Sequence, residues 1–239
     1  MNTAVAMPSR KDEFFRGIRD QLPILLGVIT FGLIFGALAI ENVLPPDTVQ
    51  GLSFFVFAGS AQFIAADLIG GGAPALVVVL TIAVVNLRHM LYSASLAPAL
   101  QPLSRRWRWS LSWLLTDEAF ATSSVHFKKQ PNPNMHWYML GTGLALWGSW
   151  QLSTAAGVLL GAALPASWNL DFALPLTFLA LLIPLLVDRP TLAAAAAAGL
   201  TAVLLVGLPY RLGLLFAAFA GIAGGYLAER RGQGRKETT

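Results

Sequence analysis

The sequence contains no cysteine. That excludes disulfides, thiol catalysis and thiolate metal sites, and leaves the compartment open. Charge is scarce as well. Asp, Glu, Lys and Arg make up 12% of the 239 residues, against about 25% in ordinary soluble domains. Enzyme signatures are missing: there is no HExxH, no GxGxxG and no P-loop. No plausible Ser/His/Asp set stands out, and no filter of the K⁺-channel type. The chain is therefore not read as an enzyme, and nothing in it calls for a cofactor or a metal.

What is present is apolar. Hydrophobic residues reach 56% and mean hydropathy is +0.64. A soluble domain cannot hide that much apolar surface, whereas a bilayer span needs about 20 mostly apolar residues. The runs are continuous and lack the alternation of a barrel, and backbone groups in lipid must bond internally. The expected fold class is all-α, a polytopic helical membrane protein. About eight hydrophobic segments can be drawn, at 22–44, 49–69, 74–98, 109–125, 137–164, 172–187, 191–208 and 212–228. Gly70, Gly71 and Gly72 should turn the chain between the second and third, and Pro184 should kink the sixth. The basic start followed by an apolar run loosely mimics a signal peptide. The run is too long for one, however, and Asp12, Glu13 and Asp20 interrupt the basic stretch, so it is read as a retained first span.

Net charge is +4, which in this setting speaks of topology rather than nucleic acid. Residues 1–21 and 229–239 are basic and are expected to be cytoplasmic tails around a transport domain at 22–228 of a cell (inner) membrane. Loops 41–48 and 165–171 hold acids but no Lys or Arg, and so read as outside, while Lys128 and Lys129 read as inside. Arg105, Arg106 and Arg108 disagree, because eight simple spans would put them outside. Either the charge rule fails there, or some of segments two to four are broken or re-entrant.

Those same segments hold the unusual residues. Arg88 lies near the middle of an apolar run, where a charge costs about 2.5–3.5 kcal/mol on insertion scales. At 100° per residue, Arg88, Tyr92 and Ser95 share one helical face, and Asn86, His89 and Ser93 fall on the other side. A stretch that is polar nearly all round is either central in the bundle or interrupted. In Phe57–Phe63, "FAGSAQF", small residues precede Gln62. They permit close helix packing, or they open the backbone near Gly59 and Ser60 to a ligand if the helix breaks. In "LLTDEAFATSS", Asp117 and Glu118 point about 100° apart. One acid could neutralise Arg88 and the other carry a proton; the rival reading is a surface helix with solvated acids. Gly32-x3-Gly36, Gly157-x3-Gly161, Gly221-x3-Gly225 and the run Ala193–Ala198 read as close-packing faces, within the chain or toward another subunit in an oligomer. His126 and His136 flank a loop and need no role. A faint likeness between Leu26–Leu33 and Thr142–Ser149 hints at an internal repeat.

"FAGSAQF", "NLRHMLYSASLAP" and "LLTDEAFA", in this order and spacing, resemble the AzlC family, the large subunit of branched-chain amino acid exporters. Gly17, Pro23, Gly27 and Phe31-Gly32 look like that family's first span, with Thr30 where a proline is expected. The resemblance covers about residues 17–122. It implies export of amino acids such as valine, leucine and isoleucine, a small AzlD-type membrane partner, and energy from the proton gradient. It assigns no residue roles. The chemistry of a zwitterionic cargo suggests Arg88, Asn86, Tyr92, Gly59, Ser60 and Gln62 for substrate binding, and Asp117, Glu118 and His89 for proton coupling or counter-charge. A passive small-solute channel and a non-transporting membrane scaffold remain as alternatives.

Overall fold

The computed structural model describes residues 7–163, 186–209 and 212–236, with positions 179 and 183. All regular structure among them is helical. It falls into two compact units, residues 1–63 with 86–164 and residues 64–85 with 165–239. Large apolar side chains such as Leu26, Leu76, Leu152, Leu159 and Val206 are exposed, while Gln21, Ser53, Gln62, Thr142 and Thr154 are buried. That is the profile of a chain whose solvent is hydrocarbon.

In the first unit, α1 (Arg10–Glu41) opens on a capping box in which the Ser9 side chain accepts from the Asp12 N–H and Asp12 accepts from Ser9 N–H. Those hydrogen bonds hold the Asp12 carboxyl below its ordinary range. The helix thus starts well inside the segment expected to be a tail. Its 32 residues span about 48 Å, more than a hydrocarbon core of about 30 Å. Its main partner is α8 (Met135–Ala163). The two run parallel, because Phe14 and Ile18 lie against Gly141, Leu33 against Gly157 and Ala37 against Gly161. Glycine is required at these points. A Cβ at Gly36 would strike the Thr154 carbonyl oxygen, one at Gly157 the Leu33 carbonyl oxygen, and one at Gly161 would lie 2.8 Å from Ala37 Cα. The anticipated small-residue faces at 32–36 and 157–161 therefore pack within the chain.

Segments two, three and four are each split. The second becomes α2 (Pro46–Phe55) and α3 (Gly59–Gly70), separated at Phe57, whose φ of +41° is a left-handed conformation rare for an aromatic residue. The third becomes α4 (Ala75–Val85) and α5 (Leu87–Leu100), separated at Asn86. The fourth becomes α6 (Arg105–Trp113) and α7 (Asp117–Lys129). Gly72, at φ +69°, makes the expected turn after α3.

The hairpin α6–α7 enters and leaves at one end of the unit. Trp107 packs on Trp137 at the start of α8, with ring centroids 4.9 Å apart. Trp113 has climbed to Trp147, at 5.9 Å. The chain then breaks, and α7 descends antiparallel to α1, with Thr122 bonded to Gln21, His126 to Glu13 and Gln130 to Arg16. Arg105, Arg106, Arg108, Lys128 and Lys129 therefore share the end that holds the start of α1. The fourth segment is thus a helical hairpin and not a single continuous helix. From the opposite end α2 descends along α8, with Gln50 bonded to Gln151 and Phe54 against Trp147. The two hairpin tips meet where Trp113 Nε1 donates to the Phe55 carbonyl at 3.4 Å and Phe57 packs on Trp113.

In the second unit, α9 (Arg189–Leu204) and α10 (Gly213–Lys236) pack antiparallel. Gly221 and Gly225 lie against Ala194 and Ala198, so the alanine run and the third glycine face meet each other. Most of the sixth hydrophobic segment, with the Pro184 kink, lies outside the described residues.

The glycine contacts make a direct prediction. Gly36→Val and Gly157→Val should each lower stability by about 1–3 kcal/mol by overpacking, seen as a fall in melting temperature of the detergent-purified protein. Gly27→Ala and Gly148→Ala, where a Cβ meets nothing within 4 Å, should leave it unchanged.

Candidate functional site

The three broken segments each contribute a helix start to the first unit. Ser60 is the second residue of α3, Arg88 the second of α5 and Asp117 the first of α7. Arg88 joins them. Its Nη2 donates to Ser60 Oγ at 2.6 Å, and its Nη1 pairs with Asp117 Oδ2 at 2.7 Å. A cation at a helix start opposes the helix dipole, whereas an acid there is favoured, so Asp117 offsets the position of Arg88. The pair is not sealed: the side chains keep 32% and 41% of their exposure. It is also not saturated. Arg88 Nε and Asp117 Oδ1 are buried atoms without a hydrogen-bond partner, as is Asn86 Oδ1.

The remaining candidates surround this pair in different ways. Tyr92, one turn beyond Arg88, stacks on Phe120 at 4.5 Å and lies near enough to Asp117 for their side chains to interact. His89 is half-buried, within electrostatic reach of Arg88 and Asp117, and its ring centroid is 6.0 Å from that of Tyr92. Glu118 is half-buried next to Thr116, with Asp117 and Arg88 in electrostatic range. Of the two acids, Asp117 is the one that pairs with Arg88.

Two candidates serve the break itself. Gln62 is fully buried, and its Oε1 accepts from the Ala58 N–H at 3.1 Å, so it caps the start of α3. Gly59 leaves room for Phe31, which a Cβ would meet at 2.9 Å. Thr116 caps α7 by accepting from the Ala119 N–H. The geometry therefore joins Arg88, Ser60 and Asp117 directly, with Asn86, His89, Tyr92 and Glu118 around them.

Sequence reading missed a second polar cluster. His126, expected to have no role, is buried and pairs through Nε2 with Glu13 Oε2 at 2.7 Å. Only the depth of a charged residue in a helix longer than its apolar core hinted at it. His136 does lie at a helix start, where burial lowers its pKa. Among the described residues no group of three or more His, Cys, Asp or Glu is arranged to hold a metal.

Residues 23–164 match the family described as AzlC protein. The chain is 28% identical to the inner membrane protein YgaZ of Escherichia coli, over 71% of this chain and 72% of that one. It is 32% identical to an uncharacterized membrane protein of Archaeoglobus fulgidus, over 78% and 82%. No solved structure matches it.

If Arg88 and Asp117 support one another, Arg88→Gln and Asp117→Asn should be non-additive. The double variant should lose less stability than the two single losses together, with a coupling of about 0.5–1 kcal/mol at this half-exposed pair. Thermal unfolding of all four proteins measures it.

Proposed function

The chain belongs to the AzlC family of membrane proteins, and on that premise we propose that it is a secondary transporter exporting branched-chain or related apolar amino acids, driven by protons. The observation that carries the reading is the Arg88–Asp117 pair at the hairpin tips, with an unspent donor beside an unspent acceptor. A free amino acid presents a carboxylate and an ammonium. The carboxylate suits the guanidinium and the start of α3 at Gly59 and Ser60. The ammonium suits Asp117, and Asn86 Oδ1 adds an acceptor. Tyr92, Phe120, Phe31 and Phe57 offer an apolar wall for the side chain. Arriving substrate takes over both charges of the pair, and Glu118 carries the proton. Discontinuous helices meeting at mid-depth are a known way for transporters to build such sites.

The end that gathers Arg105, Arg106, Arg108, Lys128 and Lys129 with the start of α1 faces the cytoplasm in this reading. The protein works in the cell membrane with a small AzlD-type subunit. The glycine faces of α1, α8 and α10 are used within the chain, so that subunit docks elsewhere.

The test is counterflow in vesicles containing both subunits, preloaded in turn with each common amino acid. Wild-type protein should exchange leucine, isoleucine or valine. Arg88→Ala at equal abundance should lose exchange by about 10²-fold or more, the scale of a carboxylate left without its charged partner. Exchange unchanged in Arg88→Ala would reduce the pair to a structural bridge.

A further inference from the structure

The first unit holds a second string of polar groups, which the substrate site does not use. It starts one turn after Glu118 on α7. The Thr122 hydroxyl lies 2.7 Å from the Glu118 carbonyl oxygen and 2.9 Å from Gln21 Oε1 on α1. Gln21 and Ser123 are fully buried, and neither Gln21 Nε2 nor Ser123 Oγ has a hydrogen-bond partner. One turn further, His126 meets Glu13. The carboxylate is fully buried and the imidazole nearly so. The imidazole stacks flat on Tyr138, with centroids 3.7 Å apart, and Tyr138 donates to Asp20 Oδ2 at 2.9 Å. An open-sided cavity of about 450 Å³ runs beside them, lined by Arg16, Asp20, Thr122, His126, Lys129 and Tyr138.

Structure alone does not call for this arrangement. A buried ion pair is often no more stabilising than apolar residues of the same volume, and a buried polar atom without a partner costs about 1–3 kcal/mol. Yet three such atoms lie on this line, among them Glu13 Oε1, whose nearest cation, Arg16, is 3.6 Å away. The charged and titratable groups facing the pair are Arg16 and Asp20 on α1, Lys129 on α7 and Tyr138 on α8. Histidine is the side chain whose ordinary titration falls in the physiological range, and a carboxylate at 2.7 Å can share its proton. Eight residues of α7 separate Glu118 from His126, about 12 Å at 1.5 Å per residue. Hydroxyls and a cavity wide enough for water occupy that interval.

We infer that the Glu13–His126 pair is the cytoplasmic proton station of this transporter, exchanging protons with Glu118 past Thr122 and Ser123. The inference rests on the transport reading. During export the proton moves inward from Glu118 to the imidazole–carboxylate pair, and from there to water at the mouth beside Lys129.

Counterflow and gradient-driven transport separate this role from a structural one, because exchange needs no net proton movement. In vesicles with both subunits, Glu13→Gln and His126→Gln should keep leucine exchange close to wild type. Uphill transport driven by a pH gradient should fall by about 10²-fold, the usual contribution of a positioned proton-transfer group. The dependence of flux on internal pH between about 6 and 8 should flatten. Wild-type uphill transport and pH profile in both variants would overturn the inference. So would loss of exchange together with uphill transport at normal abundance, which marks the pair as structural. Wild-type protein that exchanges no amino acid would sink the transport reading itself, and this inference with it.

Discussion

A helix that stops inside a bilayer leaves backbone groups unpaired, and hydrocarbon offers them nothing. That constraint governs the first unit. The breaks after α2 and after α6 lie against each other, and several of their end groups are met by protein. Gln62 caps the start of α3, Thr116 caps the start of α7, and the Trp113 indole reaches across to the last carbonyl of α2, that of Phe55. The tips must be enclosed for this to hold. The contact of α1 with α8, backbone against backbone, and the aromatic groups around Phe31, Phe35, Phe63 and Trp150 provide the enclosure.

Once the ends are protected, their fields become useful. Helix starts carry partial positive charge, and α3, α5 and α7 all begin around Arg88. The helix starts therefore add partial positive charge around Arg88, which Asp117 opposes. One element, α7, then serves two levels. Its first turn holds the partner of Arg88, and its last turns meet Glu13, Arg16 and Tyr138 near the basic end. A helix of only 13 residues thus links the two polar clusters.

Much of this was legible in the sequence. Hydropathy located the helices, and the all-round polarity of Asn86–Ser93 announced an interruption. The misplaced arginines at 105, 106 and 108 announced that a simple count of spans fails. What could not be read was direction. Nothing local in "RRWRW" shows that α6 climbs only partway before α7 returns; that depends on Trp107 and Trp113 finding α8 some 30 residues later. The choice of Asp117 over Glu118 as partner of Arg88 depends on how α7 is rotated about its axis, since the two acids point about 100° apart. That Gln62 Oε1 caps α3 could not be read either, because the break that needs capping is set by Phe57. Glu13 and His126 are 113 residues apart, and no periodicity links them.

The glycine seam between α1 and α8 also limits how this molecule can move. Sliding one helix by a single residue, about 1.5 Å, would drive side chains into carbonyl oxygens at several levels at once. The two helices can therefore neither shear nor ratchet past each other. They act as a fixed mast, and in the transport reading proposed above any opening of the site has to come from the shorter pieces interrupted at Phe57, Asn86 and Leu114–Thr116.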